Sequence, residues 1–356
     1  MSRFLSQEAA RLAPYVPGEQ PLGGFIKLNT NENPFPPSPA VRTAVLAKVG
    51  SLNLYNDPTC AALQAALAQE YGLAPAQVLP GNGSDEVLAF ALRSFCGAGR
   101  PLAFADVTYG FYEVWANLFG FEARRIPLAA DFALRPEDYF GLGCTIVLAN
   151  PNAPTGLALP PEEIGRIAAA NPDNVVIVDE AYADFAPQSC LGLLGRYPNL
   201  LIVRTFSKSR SLAGGRLGFA LGSGELIACL ARVRDSFHPY NVNTLTQAAG
   251  LAALADKAYF TRCVAEVCAA RRWAAGALAA LGFELTDSAA NFLFVRHPAL
   301  PGREIADALH ARGILVRRWD APRIADWLRI SVGSRPQMET LAAALADILH
   351  TSPKEG

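Results

Sequence analysis

A chain of 356 residues exceeds one ordinary domain and has room for a large domain plus a smaller one. It is 51% hydrophobic and 18% charged with a net charge of −1, so it reads as globular, with no reason to expect nucleic acid or an anionic membrane as partner. With no uninterrupted apolar run of about 18 residues, no signal-peptide core, seven dispersed cysteines lacking a CxxC and four scattered histidines, it is expected in the cytoplasm, without a membrane span or a metal site.

Residues 1–35 hold several Pro and Gly and little periodicity, as in an arm lying on another surface. Helical spacing covers 39–49 and 59–71, the second closed by Gly72, with the turn Tyr55-Asn56-Asp57-Pro58 between them. Gly81-Asn82-Gly83-Ser84-Asp85-Glu86 then opens a helix over 87–96. Ser84 is its expected N-cap, and such a start presents free N–H groups to an anion, although an ordinary capped helix has the same look. A strand at 101–105 and a helix at 110–118 follow.

The strand 145–149 runs into the turn Asn150-Pro151-Asn152-Ala153-Pro154-Thr155-Gly156. The strand 175–178 ends on Asp179, with Tyr182 three residues on. The strand 200–203 leads to Thr205-Phe206-Ser207-Lys208, a glycine-bearing turn, Arg216 and a strand at 217–221. This alternation predicts an α/β domain around a mostly parallel sheet. Helices at 243–254 and 257–281 follow, then strands at 292–295, 314–316 and 328–332 with helices at 303–312 and 336–349, the pattern of a smaller α+β domain. The expected division is an arm over 1–35, a large domain over 36–240 and a small domain over 241–356, against which the arm can pack.

Ligands of open α/β sheets sit beyond the carboxyl ends of the strands. Three successive strands therefore deliver Asn, then Asp and Tyr, then Ser and Lys to one rim. A lysine held there among hydroxyls and glycines is a usable amine nucleophile and proton carrier.

NPNxPTG, then DEAY, then SK with an arginine eight residues after the lysine resembles the signature of fold-type I, class II pyridoxal-phosphate aminotransferases, over essentially the whole chain. Pro14-Tyr15-Val16-Pro17-Gly18 and Lys27-Leu28-Asn29-Thr30-Asn31-Glu32-Asn33-Pro34-Phe35 look specifically like the histidinol-phosphate aminotransferases. The resemblance implies pyridoxal 5'-phosphate joined to Lys208, with Asp179 on the pyridine nitrogen and Tyr182 on the ring oxygen. Backbone N–H groups of Gly83, Ser84 and Asp85, the Ser207 hydroxyl and Arg216 would converge on the phosphate. Tyr109 would stack on the ring. Tyr55 would reach the phosphate from the neighbouring subunit of a homodimer.

One position departs from the family. The asparagine that directly precedes Pro-Thr-Gly is here Ala153, so either Asn152 shifts to supply the amide or Tyr182 holds the ring oxygen without it, Asn152 then merely shaping the turn. Arg329 would take a substrate carboxylate or phosphate, helped by Arg317, with Tyr15 and Asn31 closing the pocket from the arm. The implied reaction is transamination between L-histidinol phosphate and 2-oxoglutarate or glutamate, in histidine biosynthesis. Threonine-phosphate decarboxylation, broad aromatic or aspartate aminotransfer, and a non-enzymatic binding role are the alternatives.

Overall fold

The computed structural model describes residues 3–7, 9–21 and 23–351. Of the expected arm and C-terminal region, Met1, Ser2, Glu8, Leu22 and residues 352–356 lie outside the described residues. After a short 3-10 turn at Ala9–Arg11 come a two-residue strand, β1 (Ile26–Lys27), and helices α1 (Pro39–Val49) and α2 (Ala61–Tyr71). Next come the strands β2 (Val78–Gly81), β3 (Leu102–Ala105), β4 (Ala123–Ile126), β5 (Thr145–Ala149), β6 (Val176–Asp179), β7 (Leu200–Thr205) and β8 (Gly218–Gly222). Helices α3 (Ser84–Phe95), α4 (Phe111–Phe119) and α5 (Pro161–Ala169) lie between them; α6 (Gly224–Phe237), α7 (Thr244–Ala255) and α8 (Lys257–Ala280) follow. The last part holds β9 (Glu284–Leu285), β10 (Phe292–Arg296), α9 (Gly302–Ala311), β11 (Ile314–Leu315), β12 (Arg317–Arg318), β13 (Leu328–Ser331) and α10 (Arg335–Thr351).

β2 to β8 form one seven-stranded sheet in the order β2-β8-β7-β6-β5-β3-β4. The run β7-β6-β5-β3-β4 is parallel, while β8 is antiparallel to both β7 and β2. The central strands are apolar at nearly every position because both faces are covered. Ile146, Leu148, Val178 and Ile202 pack on Leu63, Leu67, Ile164 and Leu254. Their alternates Val147, Ile177, Leu201 and Val203 pack on Val87, Leu92, Trp115 and Leu230. Each such side chain stabilises the fold by about 1.5–3 kcal/mol on burial, so helices lie on both sides.

The second sheet is antiparallel, ordered β12-β13-β10-β9. Leu293, Leu328 and Ile330 meet Leu278 of α8, Ile305 of α9, and Leu341 and Leu345 of α10 in one core. Leu28 joins that core, and β1 pairs in parallel with β11, so this stretch of the N-terminal segment is bound to the second body.

Local features differ from the expectation. The third helix starts at Ser84 itself, and Gly83 (φ +87°) is its N-cap, without a side-chain cap. Ser84 is therefore the first helical residue rather than the cap. A helix also covers 224–237, where Leu226, Ile227, Leu230 and Val233 recur at a helical spacing that the sequence reading passed over.

Candidate active site

The parallel register sets Ala149, Asp179 and Val203 side by side at the carboxyl ends of β5, β6 and β7. The loops leaving these three strands therefore collect at one rim. A cavity of about 360 Å³ opens there, lined by Lys208, Asp179, Tyr182, Tyr109, Ser207 and Arg216, with Ser84 and Asp85 at the α3 end.

The α3 end is rich in hydrogen-bond donors around Arg216. The Arg216 guanidinium reaches Ser207 Oγ (3.4 Å), the Ala213 carbonyl (3.3 Å) and Asp85 Oδ2 (3.1 Å). Gly83 lies directly beneath it: a Cβ there would come within 2.7 Å of Arg216 Nη2. Gly218 of β8 is equally constrained, since a Cβ would run into the backbone of Gly83 and Ser84. These glycines let the start of a 12-residue helix, with its partial positive charge, sit against the arginine and the Ser207 hydroxyl. Thr205 donates to Ser207 Oγ (3.0 Å) and fixes it. An anion with several acceptor oxygens suits such a cup.

Asp179 is buried in the wall of the same cavity. Tyr112 donates to its Oδ2 (2.8 Å) and the Ala181 N–H to its Oδ1 (3.2 Å). Burial pushes its carboxyl up to about 6; the nearby Asp85 adds to this, while Tyr112, Ala181 and Lys208 oppose it. A buried carboxylate so raised is one that a further cation would relieve. Lys208 is half-buried, its Nζ 3.3 Å from the Thr30 carbonyl and 5.8 Å from the centre of the Tyr182 ring. Tyr109 donates to Asp85 Oδ1 (2.9 Å), and burial raises its phenol well above the usual tyrosine range.

Arg329 and Arg317 face each other across the antiparallel pair β12–β13. Like charges in directly opposite positions repel. Arg329 Nη2 donates to the Asn29 carbonyl (2.9 Å), its guanidinium lies over the Phe292 and Trp319 rings, and its buried Nε has no partner among the described residues. Burial draws its pKa down, and Arg317 draws it further. Arg317 Nη2 donates to the Val16 carbonyl (3.0 Å), and Tyr15 packs on Phe111, itself stacked on Tyr109.

The profile of the family described as Aminotransferase class I and II matches residues 24–345. The chain belongs to the class I and II aminotransferases. Among its relatives, histidinol-phosphate aminotransferase 2 of Dechloromonas aromatica (strain RCB) is 48% identical over 354 residues, 98% of this chain and 99% of that one. Histidinol-phosphate aminotransferase of Marinomonas sp. (strain MWYL1) is 49% identical over 350 residues, 97% of this chain and 99% of that one. The crystal structure of histidinol-phosphate aminotransferase from Sinorhizobium meliloti in complex with pyridoxal-5'-phosphate superposes with a TM-score of 0.84 at 28% identity, covering 91% of each chain.

This class I and II aminotransferase does not bring every expected residue to the cavity. Asn152 is a correction. Its Oδ1 accepts from Thr108 (2.7 Å), and its Nδ2 donates to the Val107 carbonyl (3.0 Å) and Thr155 Oγ1 (2.9 Å). The amide thus holds its own turn together beside a separate, mostly apolar cavity of about 160 Å³, and the Ala153 methyl lines the first cavity instead. Tyr55 is 86% exposed and stacks on Tyr240 (4.8 Å). Asn31 is buried and donates to the Tyr182 oxygen (3.0 Å).

Sequence reasoning missed Tyr112, Thr30 and Trp319. Tyr112 sits 67 residues from Asp179 in a helix where it reads as core, so no local pattern reveals the contact. Thr30 lies inside the resembling run 27–35, which was the available signal.

Proposed function

We propose that this chain transfers an amino group between L-histidinol phosphate and 2-oxoglutarate, giving imidazole-acetol phosphate and glutamate, with pyridoxal 5'-phosphate as cofactor. The observation that carries the substrate reading is the pair Arg317 and Arg329, opposed across β12 and β13, two guanidinium groups without a carboxylate partner among the described residues; they do not line the cavity itself, but Arg329 lies within electrostatic reach of its Tyr182 and Tyr109. They form a second anion site, suited in turn to a substrate phosphate and to a dicarboxylate.

The cavity fits the cofactor. Its donor-rich cup of Arg216, Ser207 and the N–H groups of Gly83, Ser84 and Asp85 suits a phosphate. Its raised, buried carboxyl at Asp179 suits a ring N–H⁺. When bound, pyridoxal phosphate supplies a carbonyl carbon that exchanges amino groups and a ring that takes up electrons released at the substrate's amine-bearing carbon. Lys208 Nζ then serves as covalent anchor and, once released, as the base that holds the proton from that carbon. Asp179 keeps the ring nitrogen protonated, Tyr182 donates to the ring oxygen, and Tyr109 covers one face of the ring. Tyr15 and Asn31 bring the arm over the mouth. The proposal includes a cytoplasmic homodimer, in keeping with seven free cysteines and with the exposed Tyr55.

A panel of amino donors with 2-oxoglutarate as acceptor tests the reading. Histidinol phosphate should exceed phenylalanine and tyrosine, which lack the phosphate, in kcat/KM by about a hundredfold, the order of two lost charge-assisted hydrogen bonds, and should also exceed threonine phosphate, which keeps the phosphate but lacks the imidazole. Carbon dioxide release from threonine phosphate, or equal use of phenylalanine, would contradict it.

A further inference from the structure

The hydrogen bonds around Asn31 orient its side-chain amide. Asn31 is 1% exposed, with φ +56°, a left-handed conformation that asparagine tolerates better than most residues. Its backbone N–H donates to Ser331 Oγ (2.7 Å), and the single proton of that hydroxyl goes to Asn31 Oδ1 (2.9 Å). Asn291 donates to the Asn31 carbonyl (3.0 Å). With Oδ1 fixed as acceptor, the atom facing Tyr182 is Nδ2, and it donates to the phenolic oxygen at 3.0 Å. Among the described residues no other side chain or backbone group bonds that oxygen.

The surrounding stretch holds the arrangement in place. The Asn29 carbonyl accepts from Arg329 (2.9 Å), and the Thr30 carbonyl from Lys208 Nζ (3.3 Å). Asn33 Nδ2 donates to the Lys208 carbonyl (3.0 Å) and the Ser209 carbonyl (3.2 Å). The opposite wall beside Tyr182 is apolar, made of Ala153, Ala290 and Phe292.

We propose that Asn31 is a positioning residue: by donating to the phenolic oxygen, it turns the Tyr182 proton into the cavity, toward the anionic ring oxygen of the cofactor. The proposal rests on the assignment of pyridoxal phosphate to this cavity and adds the direction of one hydrogen bond. Asparagine at 31 is then required as a donor and not only for its shape.

Asn31→Asp tests this, because it keeps the shape and replaces the donor by an acceptor. Tyr182 then donates to the aspartate, and its proton leaves the cavity. The readout is the pH midpoint of the visible absorbance change of the bound cofactor in wild type, N31D, N31A, Y182F and N31D/Y182F holoenzymes. A donor to the ring oxygen stabilises its anion, so N31D and Y182F should each raise the midpoint by about one pH unit, a tenfold change in the ionisation constant. The double variant should match Y182F alone, and N31A should shift less than N31D. An N31D midpoint equal to wild type, or an N31D shift that adds in full to that of Y182F, would overturn the proposal. Should N31D fail to fold, Ser331→Ala removes the group that fixes the amide and must raise the midpoint in the same direction; an unchanged midpoint overturns the proposal as well. A wild-type protein without any visible cofactor band would overturn the cofactor assignment and this inference together.

Discussion

The Asp179 carboxyl is kept from water with one hydroxyl and one N–H as donors, and its pKa moves from 3.8 to about 6. Between those values the folded apoprotein holds a proton that the unfolded chain has released, so stability falls as pH rises through that window and stays lowered above it. A shift of about two units corresponds to roughly 3 kcal/mol. Asp179→Asn should therefore make the apoprotein more stable in urea at pH 7.5, by about 1–3 kcal/mol. The difference should shrink toward zero near pH 4, and added cofactor should stabilise wild type more than the variant. A wild-type apoprotein at least as stable as the variant at pH 7.5 would contradict this. At this scale Asp179 and Lys208 were legible because each ends a run of apolar strand residues. Tyr112 and the Asn31–Ser331 pair were not: their partners lie 67 and 300 residues away, and only the assembled fold brings them together.

Among the elements, the connection from α1 to α2 carries Leu54 at 66% and Tyr55 at 86% exposed, Tyr55 packs on Tyr240 beyond α6, and Phe237 at the end of α6 is exposed as well. An apolar surface of this kind is costly in water and suits a second copy of the chain. Sedimentation equilibrium should give twice the 37.9 kDa chain mass. Tyr55→Phe should keep the dimer and weaken cofactor binding by about tenfold, the value of one hydrogen bond to a charged group. A monomer with full cofactor affinity would contradict the shared site. Tyr55 carries no such signal in its own residues, since a tyrosine in an Asn-Asp-Pro turn reads as surface. The opposed Arg317 and Arg329 are similar: the run 328–332 was legible as a strand, but the two-residue β12 and its register with β13 were not.

For the whole molecule, the strand–helix alternation through residue 221 was legible because each central strand is apolar on both faces. The edges of the sheet were less so. β4 reads Ala-Arg-Arg-Ile, with both arginines exposed, and pairs on one side only, so burial leaves no pattern in it. The antiparallel setting of β8 follows from a tight return after Lys208 that periodicity does not encode. This topology puts Lys208 Nζ in one cavity with Asp179 and Arg216, and the functional account depends on that amine. Borohydride reduction of the protein loaded with pyridoxal phosphate, followed by peptide mass mapping, tests it most directly. The account predicts one cofactor fixed per chain, on Lys208, and loss of both the visible band and turnover in Lys208→Ala. Label on another lysine such as Lys27, or full turnover in Lys208→Ala, would contradict it.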